Sequence, residues 1–399
     1  MNDAARTSLV AASLLASFAA LAAFPVTGED LAGPAAPALA APPSIDPSAS
    51  SAPWQRDHGL AGAPAAEEKR GHRHPPPTLP TFTGVATVGR TRYPYTLVGT
   101  NPELRGARNV VVPVLILPMR LKFSDGTVLD TTQPDTCLGG RVPLTVTLQS
   151  PLFQDFDYGE GPKQFLEQIR RLEFWQFTAP GKLNPGYSVR LSPAVLPTQT
   201  LVLSPASTTQ QVACLATGAP QKMGHVDNDD WDHFFLSQLL PQFPQLGVNG
   251  GTFVLILLPN VDFTSGGEPT DVAFHGATST PEGLVTVAVA QLGVVRPGML
   301  VNIGALSHEF AEWLDDPFTS NRTPLWGNTG QVRGCADILE VGDPLTGTFL
   351  PAIQMPNGIS YQPQETAFLS WFFDQVPSPG FDGWYSSGGT FRSPAAPCH

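Results

Sequence analysis

The chain has 399 residues, 42% hydrophobic and 14% charged, enough apolar material to bury one large core or two modest ones. Its 22 basic and 34 acidic residues give a formal net charge of −12, which leaves no broad cationic surface for phosphates and argues against nucleic acid or anionic membrane as partners. With 38 Gly and 42 Pro the chain is punctuated too often for a bundle of long helices.

At the N-terminus, residues 9–24 form an Ala- and Leu-rich apolar run behind Arg6, followed by Pro25 and then by Ala38-Leu39-Ala40. The run is shorter than a spanning helix and reads as the apolar part of a signal peptide covering residues 1–40. The mature protein is therefore expected to be secreted, extracellular or periplasmic, and off the membrane after cleavage; a retained N-terminal anchor is the competing reading. Residues 41–82 are dominated by Ala, Pro and Ser and cannot bury enough surface to offset their ordering entropy, so they read as a linker or pro-segment. His58, His72 and His74 fall in it and read as solvated linker residues rather than a metal site.

From Thr83 the pattern turns to β-type alternation, with Val85, Tyr93, Tyr95, Val110 to Ile116 and Leu121 set between Gly and Pro, and residues 83–399 are expected to form a single α+β domain. Phe165, Ile169 and Leu172 recur at helical spacing against Lys163, Glu167, Arg170 and Arg171, which predicts an amphipathic helix over 162–175. A second helix is predicted over 229–240. The acidic run 227–232 before it lacks the Gly and Glu that an EF-hand loop needs at 232 and 238, and reads as helix capping. The apolar run 252–258, ended by Pro259, predicts a central strand, and another strand is predicted over 284–290. No internal repeat is present. Cys137, Cys214, Cys335 and Cys398 form no Cys-x-x-Cys pair, and in an exported chain they predict two disulfides. Of three connectivities, Cys137 with Cys214 and Cys335 with Cys398 closes the shorter loops.

The last predicted helix, over 299–315, carries the one candidate for chemistry. Ile303, Leu306, Phe310 and Leu314 share one face, and His308 and Glu312 stand one turn apart on the other, so their heads can converge on one point. From 301 to 374 the acids Glu309, Glu312, Asp315, Asp316, Asp337, Glu340, Asp343, Glu365 and Asp374 face only Arg322 and Arg333. Like charges at this spacing repel, so a bound divalent cation is the economical counter-charge; a merely solvated acidic face is the plainer reading. His308-Glu309-x-x-Glu312 differs from the zincin signature His-Glu-x-x-His only in its second ligand, and zinc accepts carboxylate oxygen there. In that scheme His308 and Glu312 bind the metal and Glu309 serves as general base to the metal-bound water. His275 reads first as a hydrogen-bonded structural histidine and second as an extra ligand. Tyr361 is a weak candidate donor to an oxyanion. Serine-hydrolase, Walker and dinucleotide signatures are absent.

The block Ser-His-Glu-Phe-Ala-Glu-Trp-Leu-Asp-Asp-Pro (307–317), with Leu-Glu-Val-Gly-Asp-Pro (339–344), Asn-Gly-Ile-Ser-Tyr-Gln-Pro-Gln (357–364) and Phe-Leu-Ser-Trp-Phe (368–372), resembles a group of functionally uncharacterised exported bacterial proteins. The first two blocks are more distantly similar to the plant phosphate-induced, EXORDIUM-like extracellular family. No Cys follows Asp337 or Asp343 as it does in that pattern; Cys335 precedes the acidic segment instead. The resemblance spans about residues 83–392 and implies an extracellular α+β domain with a zincin-like, motif-bearing helix on a mixed sheet. Resemblance to the thermolysin-like metallopeptidases assigns Glu340 as the third metal ligand, with Asp343, Asp316 and His275 as alternatives, and Asp343 or Asp337 as groups that orient His308 from behind. The expected function is a secreted zinc-dependent hydrolase acting on a peptide or protein. The alternative is a non-catalytic extracellular or wall-binding protein, bound to a matrix or wall component, in which the same carboxylates hold a structural ion such as Ca2+.

Overall fold

The computed structural model describes residues 77–296 and 302–398. The expected signal peptide and nearly all of the expected linker, including His58, His72 and His74, lie outside the described residues, as does the start of the last predicted helix.

The architecture is mixed α+β with strands dominating. It opens on an antiparallel hairpin of β1 (Thr81–Val88) and β2 (Thr91–Val98). The long β3 (Val110–Lys122) follows, then β4 (Val128–Asp130), helix α1 (Phe165–Glu173), β5 (Val189–Val195) and β6 (Gln199–Val202). Next come β7 (Thr208–Cys214), β8 (Pro220–Asp227), helix α2 (Asn228–Phe234), β9 (Phe253–Leu258), β10 (Val261–Ser265), β11 (Phe274–Thr280) and β12 (Gly283–Gln291). Helix α3 (Gly304–Asp315) leads into the hairpin β13 (Arg322–Thr329) and β14 (Val332–Ile338).

The main sheet runs β11-β12-β9-β3-β4, with β5 and β6 also paired to β3. The contacts β3–β5, β3–β9 and β9–β12 are parallel, and the edge strand β11 is antiparallel to β12. A central parallel strand is covered on both faces and must be apolar throughout. β9 meets that demand: all six residues are buried, Phe253, Leu255 and Leu257 in one core cluster and Val254, Ile256 and Leu258 in another. The predicted strand at 252–258 is thus the centre of the sheet, and the strand predicted at 284–290 is β12. A second sheet joins β7, β8 and β10.

Helix α3 lies on the first of these cores. The Trp313 ring stacks on Phe253 at 4.0 Å between centroids, Phe310 meets Phe253 edge-on at 5.0 Å, and Trp313 Nε1 donates to Thr286 at 3.0 Å. Among the described residues the helix runs from Gly304. Asn302 has φ +58° and exchanges two backbone hydrogen bonds with Gly293, which holds the chain out of helical geometry until it is past. On the opposite face of the sheet Trp231 of α2 packs against Phe263 and Phe274. Asp227 caps α2 by accepting from the Asp229 amide, as the capping reading required; beyond Phe234 the helix widens into a π turn over Phe235–Leu239.

Helix α1 departs from expectation. Its polar residues do not face water: every residue from Phe165 to Glu173 is buried. Arg170 pairs with Glu173 at 2.6 Å and with Asp315 at 2.7 Å, and donates to the Leu314 carbonyl at 2.7 Å. This arginine ties α1 to the end of α3.

The two disulfides are Cys137–Cys214 and Cys335–Cys398, the pairing that closes the shorter loops. Disulfides of this kind belong to oxidising compartments. Among the described residues no helix is long and apolar enough to cross a membrane.

Replacing Arg170 with Leu leaves two buried carboxylates without their counter-charge. Chemical denaturation at neutral pH should then show a loss of about 3–5 kcal/mol; a loss below about 1 kcal/mol would mean that the pairings contribute little to holding α1 on α3.

Candidate metal site

The 3.6-residue repeat sets Leu306, Phe310 and Leu314 against the core and turns His308, Glu309 and Glu312 the other way. That second face is not solvated either, since every residue of α3 is buried. The polar groups it carries must find partners inside the protein, and they find each other.

His308 Nε2 lies 3.0 Å from Glu312 Oε1 and 3.3 Å from Asp343 Oδ1. On the other side of Glu312 stands His275, delivered by the edge strand β11 in register with Ala288. Its Nδ1 is 3.4 Å from Glu309 Oε2 and 3.4 Å from Glu312 Oε2. The potential ligand atoms form two sets, each within 4.8 Å: His275, Glu309 and Glu312; and His308, Glu312 and Asp343.

A further layer holds these side chains in place. The Gly342 amide donates to Glu312 at 3.1 Å, and Gly342 is packed so closely that a Cβ there would stand 2.6 Å from the His308 ring. The Asp316 carboxylate accepts from the Ser320 and Asn321 amides at 2.9 Å each, and its backbone carbonyl lies 3.2 Å from His275 Nε2. Gln364 Nε2 donates to the Gly342 carbonyl at 2.7 Å and faces His308 Nδ1 at 2.9 Å, while Gln364 Oε1 has no partner in the buried interior.

Burial opposes charge throughout the cluster, and the neighbours decide what survives. On His275 burial is outweighed by Glu340, Glu309 and Glu312, which hold the imidazole well above its ordinary range. On His308 it is outweighed by Glu312 and Asp343. Burial pushes Glu309 up to about 7, and Asp343 and Asp316 each up to about 6. Burial works against Glu312 too, but His308 and His275 hold it below the usual carboxylate range. Glu312 thus sits between two imidazoles, and a proton on either ring favours its ionised form.

The acidic excess read from the sequence is partly balanced from outside the window in which it was counted. Asp315 is paired with Arg170. Glu365 accepts from Ser386, Thr390 and the amides of Gly388 and Thr390. Asp337 is exposed and paired with Arg322 at 2.8 Å, so it does not orient His308. Asp374 is exposed, and the rest, Glu309, Glu312, Asp316, Glu340 and Asp343, lie in or beside the cluster.

Of the residues expected to bind metal, His308 and Glu312 come together, and Glu309 stands beside them. Glu340 does not enter either set. Half-buried, it acts on His275, Glu312, Asp343 and Asp316 through its charge, with burial and then Glu312 raising it well above the ordinary range. The carboxylate beside Glu312 at His308 Nε2 is that of Asp343, carried there by a 3-10 turn over Asp343–Leu345, so Asp343 does not sit behind the ring, where Gln364 faces Nδ1. His275, read chiefly as structural, belongs to the cluster; its sequence signal was only its position beside a strand. The Tyr361 hydroxyl donates to the Val146 carbonyl at 2.7 Å and accepts from Asn357, a structural role.

No protein-family model, curated protein or solved structure matches the chain. The functional reading therefore rests on the cluster's own chemistry.

Gly342 offers a test of the geometry that leaves every ligand in place. Its φ of −83° suits alanine, so Gly342→Ala acts only by pushing the His308 ring. If the cluster holds a divalent ion, calorimetric titration should show its affinity reduced about tenfold or more, the size of effect typical of disturbed metal-site support; an unchanged affinity would remove His308 from the site.

Proposed function

We propose that the chain is an exported metal-dependent hydrolase, of zincin-like arrangement, that cleaves a peptide or related amide. The observation that carries the reading is the convergence of His308, Glu312 and Asp343, with His308 Nε2 3.0 Å from Glu312 and 3.3 Å from Asp343 and all three ligand atoms within 4.8 Å of one another. Ligand atoms about 2.1 Å from a tetrahedral ion stand about 3.4 Å apart, so the donors present fit zinc with little movement. Calcium takes six to eight oxygens and is poorly served by two imidazoles. The third ligand in this proposal is Asp343 and not Glu340.

A zinc ion held there supplies Lewis acidity toward water and a substrate carbonyl. The chain's own residues supply the rest. Glu309, brought to about 7 by burial, is poised to accept a proton at neutral pH, and His275 fixes its orientation. The Asp316 carbonyl in turn aligns His275. His308 must offer Nε2 as a lone pair and carry its proton on Nδ1, so Gln364 must give up its hydrogen bond to the Gly342 carbonyl and turn its unpartnered oxygen toward Nδ1. Export is supported by the two disulfides and by the apolar N-terminal run.

One observation favours a second reading, a non-catalytic extracellular protein with a structural ion. His275, His308, Glu309, Glu312 and Asp343 are each between 3 and 5% exposed, and closed sites are the structural kind. Zinc analysis combined with Glu309→Gln separates the two. The hydrolase reading expects bound zinc in both proteins and turnover of peptide substrates reduced about a hundredfold or more in the variant. Unchanged turnover removes Glu309 as proton acceptor, and zinc that stabilises the fold with no turnover in either protein selects the structural role.

Zinc binding should also weaken as pH falls. The raised imidazoles hold protons that an ion must displace, so competition grows on the acid side and fades as pH rises through their range. Titrations at pH 6 and 8 should differ by about tenfold or more, and equal affinities would contradict proton displacement. Gln364→Glu, which gives Nδ1–H a permanent acceptor, should raise zinc affinity about tenfold, and a weaker site would contradict the role assigned to Gln364.

A further inference from the structure

We infer that the cluster has a second divalent-cation site, formed by His275, Glu309 and Glu312, with the Glu312 carboxylate bridging it to the ion proposed at His308, Glu312 and Asp343. The inference rests on the metal-dependent reading above and adds a control to it.

Three observations lead here. The first is the shape of the cluster. One ion with bonds of about 2.1 Å cannot hold donors more than about 4.2 Å apart, and the five side chains do not form one set even within 4.8 Å. They form two, joined only at Glu312, which presents Oε1 to His308 and Oε2 to His275. That is the disposition of a bridging carboxylate, which sets two ions about 3.5–4 Å apart.

The second lies outside the cluster. His275 Nε2 faces the Asp316 backbone carbonyl, and Asp316 is fixed by the amides of Ser320 and Asn321, which belong to neither ligand set. A carbonyl behind Nε2 favours the tautomer with its proton there, so that the neutral ring would offer Nδ1, which lies 3.4 Å from both Glu309 and Glu312, to an ion. Metal-binding histidines are oriented by such partners. By this criterion His275 is better prepared than His308, whose Nδ1 faces an amide donor.

The third is charge. Among the described residues, the ion pairs of Glu309, Glu312 and Asp343 are to His275 and His308. With both imidazoles neutral as ligands, a single dication among the three ionised carboxylates leaves a net charge of −1, before Glu340 and Asp316 are considered. Two dications remove that deficit.

Occupation of the second site has a consequence for function. Glu309 becomes a ligand and can no longer accept a proton, so one equivalent of metal activates and a second silences. The edge strand β11 would then sense metal supply through His275.

Full-length protein freed of metal and dialysed against Mn2+ provides the test, with ions counted by elemental analysis and the loaded protein examined by electron paramagnetic resonance. Two Mn2+ per chain with an exchange-coupled multiline spectrum are expected, and His275→Ala should bind one and show the uncoupled six-line signal. One ion per wild-type chain at saturation overturns the second site and leaves the hydrolase reading standing. Two uncoupled ions overturn the bridge. No bound ion in the wild type, with zinc or Mn2+, overturns both. Should His275→Ala not fold, the wild-type count and spectrum decide alone.

Discussion

Burying an ionised side chain costs several kcal/mol unless partners are positioned to compensate it, and α3 buries four titratable groups within eight residues: His308, Glu309, Glu312 and Asp315. Much of the surrounding structure can be read as the answer to that constraint. Arg170 reaches from α1 to the Asp315 end, although 145 residues separate the two in sequence, and in doing so fixes one helix against the other. At the other end of the polar face two histidines, the Gly342 amide and the Gln331 side chain serve the carboxylates.

The sheet makes this possible by placing elements that are remote in sequence at one edge. The antiparallel edge strand β11 carries His275 to the helix, while β9, apolar on both faces, supplies the aromatic surface on which Phe310 and Trp313 rest. The hairpin after α3 leads directly into the turn that holds Gly342 and Asp343, and the Cys335–Cys398 disulfide ties that hairpin to the end of the described chain. Ligand side chains held by packing and by a second layer of hydrogen bonds lose little freedom when an ion enters. The same near-complete burial makes access the central chemical question for this site.

Features governed by local rules were legible in the sequence. A six-residue apolar strand, an i, i+4 pair on one helix face, an Asp cap and the disulfide pairing all follow from periodicity, chain statistics or loop length, and each is found at Phe253–Leu258, His308 with Glu312, Asp227 and the four cysteines. Features that depend on tertiary placement were not. The charged residues of α1 look solvated because their partners lie far away in sequence or on other elements, Asp315 for Arg170, Arg190 for Glu167 and Glu160 for Arg171. Glu340 and Asp343 differ by three positions, and only the conformation of the Asp343–Leu345 turn decides which carboxylate reaches His308. His275 carries no motif, and its role arises from the pairing of β11 with β12. Asn302, just before the helix, is engaged with Gly293, a contact no periodicity reveals.

The central claim is that α3 and the segment around Asp343 together form a metal centre. The most direct measurement is a crystal structure of the zinc-loaded protein with anomalous scattering recorded on both sides of the zinc edge. The account predicts a strong edge-dependent peak about 2.0–2.2 Å from His308 Nε2, Glu312 and Asp343, with Gln364 turned so that its oxygen faces His308 Nδ1. A fully loaded crystal with no peak among these residues, or a peak coordinated by Glu340 in place of Asp343, would contradict it.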